Sequence, residues 1–133
     1  MANLIKSDGN IPLPTEAELA ILQILWNRGA STVREIHSAL RSRGTGYTTA
    51  LKQMQVMTEK GLLFRNECYR SHVYEARVPR EQTQLLLTRS LLMRAFEGSA
   101  KNLVLGALSS QPISRSELNE IREMLNRCEK EQV

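Results

Sequence analysis

One stretch of the chain, residues 47–60, carries side chains that can read the edges of DNA bases. At the helical repeat of about 100° per residue, Ala50, Met54 and Met57 fall on one face. The opposite face offers hydroxyl, ammonium, amide and small apolar groups, from Thr48, Thr49, Lys52, Gln55 and Val56. Such groups bond to base edges or phosphates, and a valine methyl can contact a thymine methyl. The pattern predicts a DNA-reading face, although an ordinary solvated helix face would have a similar composition.

A second set of polar residues is suited to phosphates rather than bases. Tyr47 and the neighbouring hydroxyls stand where this helix begins, and a helix N-terminus favours anions. Further along, Arg65, Arg70 and His72 flank a short polar segment. We predict that these side chains contact the DNA backbone or a minor groove. A solvated surface loop is the alternative interpretation.

The positive charge of the chain is concentrated around these residues. The net charge of the whole chain is +4. Residues 28–72 contain eight Lys and Arg against three Glu, a net +5, whereas residues 79–133 contain eight basic against seven acidic residues, a net +1. This asymmetry is expected when one part of a protein meets a polyanion and the other does not. A solvated basic surface would also produce it.

No pattern typical of catalysis or metal binding is present in the sequence. His37 and His72 are the only histidines, and neither stands at a metal-ligand spacing. Cys68 and Cys128 are 60 positions apart and form no Cys-x-x-Cys pair, which argues against structural zinc. A hydrolase is disfavoured because no nucleophile and base stand out. We therefore expect no enzymatic activity, no cofactor and no metal.

Composition places the chain among soluble globular proteins. Its 133 residues are 41% hydrophobic and 24% charged, enough for one ordinary domain or two small ones. No apolar run approaches the roughly 18 residues of a membrane span, and the first residues lack the apolar stretch of a signal peptide. These features predict a cytoplasmic protein with no membrane insertion.

Three helices are predicted before residue 62. Thr15-x-x-Glu18 and Thr32-x-x-Glu35 are capping boxes that start the first two helices. The first helix ends at Gly29, and the second ends before the turn Arg43–Gly46 because glycine disfavours helix interiors. The third runs from about Tyr47 to Lys60. The apolar stripes of the first two helices comprise Leu19, Ile21, Leu22, Leu25 and Trp26, then Val33, Ile36 and Leu40.

A β-hairpin is predicted to follow the third helix. The segments Leu62–Cys68 and His72–Val78 contain Val, Tyr and Phe and flank the polar tip Tyr69–Ser71. Three helices and a hairpin in this order are typical of a winged helix-turn-helix, in which the third helix enters the major groove. A protein-interaction module without DNA binding has the same element order, but it would expose apolar anchors rather than Thr, Lys and Gln.

The C-terminal half predicts helical dimerisation. Ala100–Ser109 is apolar on nearly every side, and a helix of that kind must be buried. The two predicted helices beside it, one from Arg80 to about Phe96 and one that begins at the capping box Ser114-x-x-Glu117, are too few to surround it. A second copy can, and a dimer suits a palindromic site. We predict a mainly α fold with a small β-hairpin wing, in two domains: a winged-helix DNA-binding domain at 1–78 and a helical dimerisation domain at 79–133. The predicted dimer residues are Leu87, Leu91, Leu103, Leu105, Leu108, Leu118, Ile121 and Leu125.

Five segments resemble one known family. They are Leu13–Leu19 with Leu25-Trp26, Thr32–Ile36, Tyr47–Ala50, Glu59–Leu63, and Ile113–Leu118 with Leu125. In this order they resemble the penicillinase-repressor family of bacterial transcription regulators, which includes the penicillinase, methicillin-resistance and copper-operon repressors. The resemblance covers about Leu13 to Leu125. It implies a winged helix, a C-terminal dimerisation domain and repression through a palindromic operator in double-stranded DNA.

The resemblance also implies which residues read bases and how repression ends. Thr49, Lys52 and Val56 align with the family's base-facing positions, where relatives often have Thr for Lys52 and Arg for Val56. Penicillinase-type members are released by a proteolysis-linked signal, such as β-lactam or cell-wall stress, that leads to a cut in the region of the apolar helix Ala100–Ser109. Relatives have Asn-Phe there and this chain has Gly106-Ala107. A single Cys128 replaces the paired cysteines of copper-type members, so copper sensing is not expected.

Overall fold

The first two helices begin as their capping boxes predict. The computed structural model describes residues 11–68 and 70–132. Helix α1 (Glu16–Arg28) starts at Thr15, whose hydroxyl accepts from the Glu18 amide at 3.2 Å while the Glu18 carboxylate accepts from the Thr15 amide at 3.0 Å. Helix α2 (Val33–Ala39) starts with the same exchange between Thr32 and Glu35, at 3.2 and 2.9 Å. Both predicted boxes are confirmed.

The third helix ends where a glycine permits a left-handed residue. A 3₁₀ turn (Arg41–Arg43) follows α2, and α3 (Tyr47–Lys60) follows that turn. Gly61 has φ of 91°, a conformation that costs glycine little. The amide of Leu62 then donates to the Met57 carbonyl at 2.9 Å, which closes the helix end and directs the chain into the sheet.

The core of the first part of the chain is formed by the predicted helix stripes. Ala50, Met54 and Met57 of α3 are completely buried. Leu19 and Trp26 are the exceptions, since both are only half-buried. The buried apolar cluster comprises Ile21, Leu22, Leu25, Val33, Ile36, Leu40, Ala50, Met54, Met57, Leu62, Leu63, Tyr74 and Val78.

The sheet has three strands and not two. Strand β1 (Ser31–Thr32) pairs antiparallel with β3 (Val73–Ala76), which pairs antiparallel with β2 (Leu63–Asn66). Both hairpin strands are shorter than predicted. The Asn66 side chain accepts from the Cys68 amide at 2.9 Å, and this local bond turns the chain out of β2. The predicted hairpin tip includes Tyr69, which lies outside the described residues.

Helix α4 (Arg80–Ala95) begins against α1. The Trp26 indole donates to the Val78 carbonyl at 2.9 Å, and the Arg80 guanidinium donates to the Asn27 amide oxygen at 2.5 Å. Thr83, one turn further on, is fully buried and donates to the Pro79 carbonyl. The chain forms two compact units that divide between Thr88 and Arg89, so α4 contributes residues to both.

The second unit contains the end of α4 and two more helices, α5 (Ala100–Ser110) and α6 (Arg115–Glu131). Glu97 and Gly98, both at positive φ, separate α4 from α5. Ser99 caps α5 and Ser114 caps α6 through bonds from Asn102 and Glu117 amides. From Arg89 to Gln132, all of which the structure describes, no residue is buried. The predicted mainly α architecture with a small sheet is confirmed.

Candidate nucleic-acid interface

Helix α3 presents one apolar and one polar face. Ala50, Met54 and Met57 are buried in the core. On the other side Val56 is half-buried, and four polar residues are exposed: Thr48, Thr49, Lys52 and Gln55. The exposed face carries hydroxyl, amide and ammonium groups over two helical turns and has no carboxylate before Glu59. Such a face can bond to the edges of bases or to phosphates.

The start of α3 is open to solvent. Its N-cap is Gly46, which has no side chain to satisfy the first amides, whereas α1 and α2 are capped by threonines. Tyr47, 45% exposed, contacts His37 edge to face, with ring centroids 5.7 Å apart and ring planes at 87°. This contact restrains the Tyr47 ring at the start of α3.

A cleft of about 400 Å³ runs between the start of α1 and the polar face of α3. Three of the predicted base-facing residues, Thr49, Lys52 and Val56, line it together with Thr48. The acid in this lining is Glu18, whose side chain is 3% exposed and whose carboxylate lies 2.6 Å from the Lys60 ammonium. The pairing neutralises a negative charge next to the polar face. Sequence reasoning assigned Glu18 to the capping box alone, because Lys60 is distant in sequence.

The cations of the hairpin differ in their surroundings. The guanidinium of Arg65 lies 2.5 Å from the Glu67 carboxylate. The guanidinium donates to the Glu67 carboxylate and to the Tyr74 hydroxyl, and these hydrogen bonds raise the pKa of Arg65. Arg70 and His72 are exposed and belong to none of the ion pairs found in the described residues. The structure therefore gives Arg65 an internal partner that the sequence did not predict.

A second cleft, also of about 400 Å³, brings together residues from α2, α3 and the sheet. It places two predicted phosphate contacts, Tyr47 and His72, in one lining. Arg34 and Ser71 share that lining, although sequence reasoning did not single them out as site residues. Helical periodicity shows which face of α2 carries Arg34 but not which strand lies opposite it.

The predicted dimer residues are incompletely covered in the single chain. Leu87, Leu103, Leu118 and Ile121 are half-buried. The others are exposed large hydrophobic residues, namely Leu91 at 41%, Leu105 at 59%, Leu108 at 37% and Leu125 at 57%. Val104, Met93 and Met124 of the same unit are exposed as well. The second unit thus carries much of the exposed apolar surface of the described chain.

Other kinds of site find little support in the described residues. Within them, no group of three His, Cys, Asp or Glu side chains is placed to hold a metal ion. None of the described helices is long and apolar enough to cross a membrane. Cys68 and Cys128 are free thiols on the surface.

The order of helices and strands, together with the exposed polar face of α3, defines the class of protein. It is a winged helix-turn-helix protein of the DNA-binding type, followed by a helical unit. The chain belongs to the penicillinase repressor family, whose sequence profile it matches over residues 14–127. It is similar to the penicillinase repressor of Bacillus licheniformis, with 24% identity over 116 residues, which span 86% of this chain and 91% of that protein. The family is one of transcriptional repressors and not of enzymes.

Proposed function

We propose that the chain represses transcription by binding a palindromic operator in double-stranded DNA as a homodimer. One observation carries the proposal: α3 buries Ala50, Met54 and Met57 and exposes hydroxyl, amide and ammonium groups on its other side. This is the division that a helix needs when it packs on its own domain and enters the major groove. A protein-binding helix would expose apolar anchors instead.

Base reading is assigned to the middle of that face. Lys52 can donate to guanine, Thr49 can bond to more than one base, and Val56 can contact a thymine methyl. Thr48 and Gln55 stand on the same exposed side. The cleft between α1 and α3, lined by Thr49, Lys52 and Val56, leaves these side chains accessible to a groove edge.

Phosphate contacts are assigned to the start of α3 and to the hairpin. Gly46 leaves the first amides of α3 without a side-chain cap, and helix N-termini of this kind favour phosphate. On the hairpin, Arg65, Arg70 and His72 are exposed. These contacts hold the protein on the duplex without choosing a sequence.

Dimerisation is assigned to the second unit. Between Arg89 and Gln132 no residue is buried, although Leu105, Leu108 and Leu125 would each gain from burial. Complete burial of a leucine side chain is worth about 1.5–3 kcal/mol. A second copy supplies the missing apolar surface by a symmetric contact, and two linked half-site contacts then bind far more tightly than one.

Release is assigned to a signal that acts on the dimerisation unit. A cut or other change near Gly106-Ala107, produced by a signalling protease in response to β-lactam or cell-wall stress, would separate the two copies. Operator occupancy would then fall because the gain from effective concentration is lost. No DNA-reading residue has to change in this scheme.

The proposal is tested by measuring how salt affects binding to a DNA duplex taken from the region upstream of the gene that encodes this chain. If the dimer contacts about six phosphates, the slope of log affinity against log salt should be roughly −5. Sedimentation of the same sample should show a dimer. A flat salt dependence, or no binding to that duplex, would contradict repression by operator binding.

A further inference from the structure

The cleft between α2, α3 and the sheet has the chemistry of an anion site. Its lining comprises Thr32, Val33, Arg34, Glu35, Tyr47, Leu51, Ser71, His72 and Tyr74. Four of its polar side chains come from three separate parts of the chain: Arg34 from α2, Tyr47 from α3, and Ser71 with His72 from the segment leading into β3. A guanidinium, two hydroxyl groups and an imidazole are the donors that proteins use for phosphate.

The acid in the lining is already engaged. One oxygen of the Glu35 carboxylate accepts from the Thr32 amide at 2.9 Å. The other lies 3.7 Å from the Arg28 guanidinium. Its charge is therefore partly compensated on the side of α2, and it competes less for the other cations of the cleft.

Arg34 remains available for an outside partner. It is exposed, and none of the ion pairs found among the described residues includes it. Tyr47 is held by its edge-to-face contact with His37, so its hydroxyl needs little reordering to accept a ligand. An unpaired guanidinium next to a restrained hydroxyl suits an anion that arrives from solvent.

We propose that this cleft binds one phosphate of the DNA backbone, with Arg34 as its principal cation and Tyr47, Ser71 and His72 as further donors. The inference rests on the proposed function and deepens it. It assigns Tyr47 and His72 to one shared phosphate, and it adds Arg34 and Ser71 to the DNA-contacting set. A phosphate here ties α2, the start of α3 and the sheet to the same DNA strand, so it sets the position of α3 in the groove.

The test compares Arg34→Gln with the parent protein on two duplexes, one from the chain's own upstream region and one of random sequence and equal length. Each phosphate contact contributes roughly 0.9 to the salt slope, so losing one per protomer should flatten the slope of a dimer by about 2. We expect binding to both duplexes to weaken by the same factor, about tenfold. Arg34→Lys should keep the slope, because it keeps the charge.

Three controls distinguish the loss of this phosphate contact from other causes of weaker DNA binding. Arg94→Gln removes the same charge from the second unit and should leave slope and affinity close to those of the parent. Tyr47→Phe keeps the ring that contacts His37 and removes only the hydroxyl, so a uniform loss of a few-fold is expected. Thermal unfolding of Arg34→Gln should match that of the parent, because the side chain is exposed.

The outcomes are distinct. An Arg34→Gln protein that matches Arg94→Gln in slope and affinity overturns the assignment of Arg34, and so does a loss confined to the upstream duplex. If inorganic phosphate displaces DNA more strongly than chloride at equal ionic strength, and only when Arg34 is present, phosphate and DNA compete for the cleft, which supports the proposal. If phosphate binds only when Arg34 is present but does not displace DNA, the cleft takes a free anion and the proposal is wrong. A parent protein that binds neither duplex would instead contradict the proposed function itself.

Discussion

At the scale of single residues, the cations near α3 fall into different electrostatic settings. Lys52 is exposed and lines the cleft beside Thr49 and Val56. Lys60, on the same helix, is already bound to Glu18, and Arg65 to Glu67. A cation without an internal partner can contact DNA without first breaking a bond. Lys52 and Arg70 are therefore the better candidates for strong DNA contacts than Lys60 and Arg65.

Lys52→Ala tests whether the exposed face of α3 reads sequence. If Lys52 donates to a base, the substitution should weaken operator binding by about 1–3 kcal/mol and change binding to random DNA much less. Arg70→Ala is the matched comparison, because a hairpin arginine that holds phosphate should weaken both duplexes alike. Fluorescence anisotropy on the two duplexes measures both variants. Equal losses for Lys52→Ala would show that Lys52 contacts only the backbone.

At the scale of elements, a partly buried ion pair joins α1 to α3. The Glu18 carboxylate caps α1 with one oxygen and binds the Lys60 ammonium with the other, 42 residues away along the chain. The side chain of Glu18 is 3% exposed and that of Lys60 39% exposed. The pair thus holds the end of α3 against the start of α1, next to the cleft that contains Lys52.

Glu18→Ala should destabilise the protein by about 1–3 kcal/mol, because it removes the acceptor of the Thr15 amide and leaves the Lys60 ammonium without its partner. The loss is smaller than for a fully buried pair because Lys60 remains partly hydrated. Urea unfolding measures the change. Glu16→Ala, an exposed acid in the same first turn, is the control and should cost no more than a few tenths of a kcal/mol. Similar losses for both variants would argue against a role for the pair.

The first turns of α4 extend the first unit beyond the sheet. Thr83 is fully buried, and Arg80 contacts both Asn27 and the Trp26 ring. A fragment ending at Val78 retains the whole apolar cluster, so both it and a fragment ending at Thr88 should fold. We expect the longer fragment to be more stable by about 2 kcal/mol or more, from the buried contacts it adds. Equal urea midpoints would show that α4 contributes nothing to the first unit. The functional boundary after Val78 stays a prediction.

At the scale of the whole molecule, binding to DNA should depend on the second unit although that unit reads no base. Its apolar side chains are exposed in the single chain, Leu105 at 59% and Leu125 at 57%. A unit with no buried residue between Arg89 and Gln132 has little apolar burial of its own to stabilise it. Pairing with a second copy would supply that burial and bring two copies of α3 to two half-sites.

Leu105→Asp should therefore break the dimer first and operator binding second. The change places a carboxylate in the proposed apolar interface, at a cost of several kcal/mol. Sedimentation should show a monomer, and a gel shift should show operator affinity lower by a factor of about 100 or more. Lys101→Asp puts the same carboxylate on an exposed polar position of α5 and should remain dimeric. A monomeric Leu105→Asp protein that bound the full operator as tightly as the parent would refute the dependence.

Local features of this chain followed from its sequence. The two capping boxes join residues three apart, the end of α3 needs only Gly61 and its neighbours, and the stripes of α2 and α3 repeat every three to four residues. Each feature is governed by interactions within a few residues, so the spacing of residue types was sufficient to predict it. The family resemblance was carried by segments of the same local kind. The roles of the individual DNA-contacting and dimer residues remain predictions.

The tertiary structure decided which distant residues meet. It paired Glu18 with Lys60, buried Thr83, added Ser31–Thr32 to the sheet, and placed Arg34 in one cleft with Tyr47 and His72. Sequence spacing contains no signal for these contacts, because they depend on how helices and strands pack after each has formed. A two-residue strand has no periodicity to detect, and a polar residue such as Thr83 is buried only where a neighbouring element covers it and its hydroxyl finds a carbonyl.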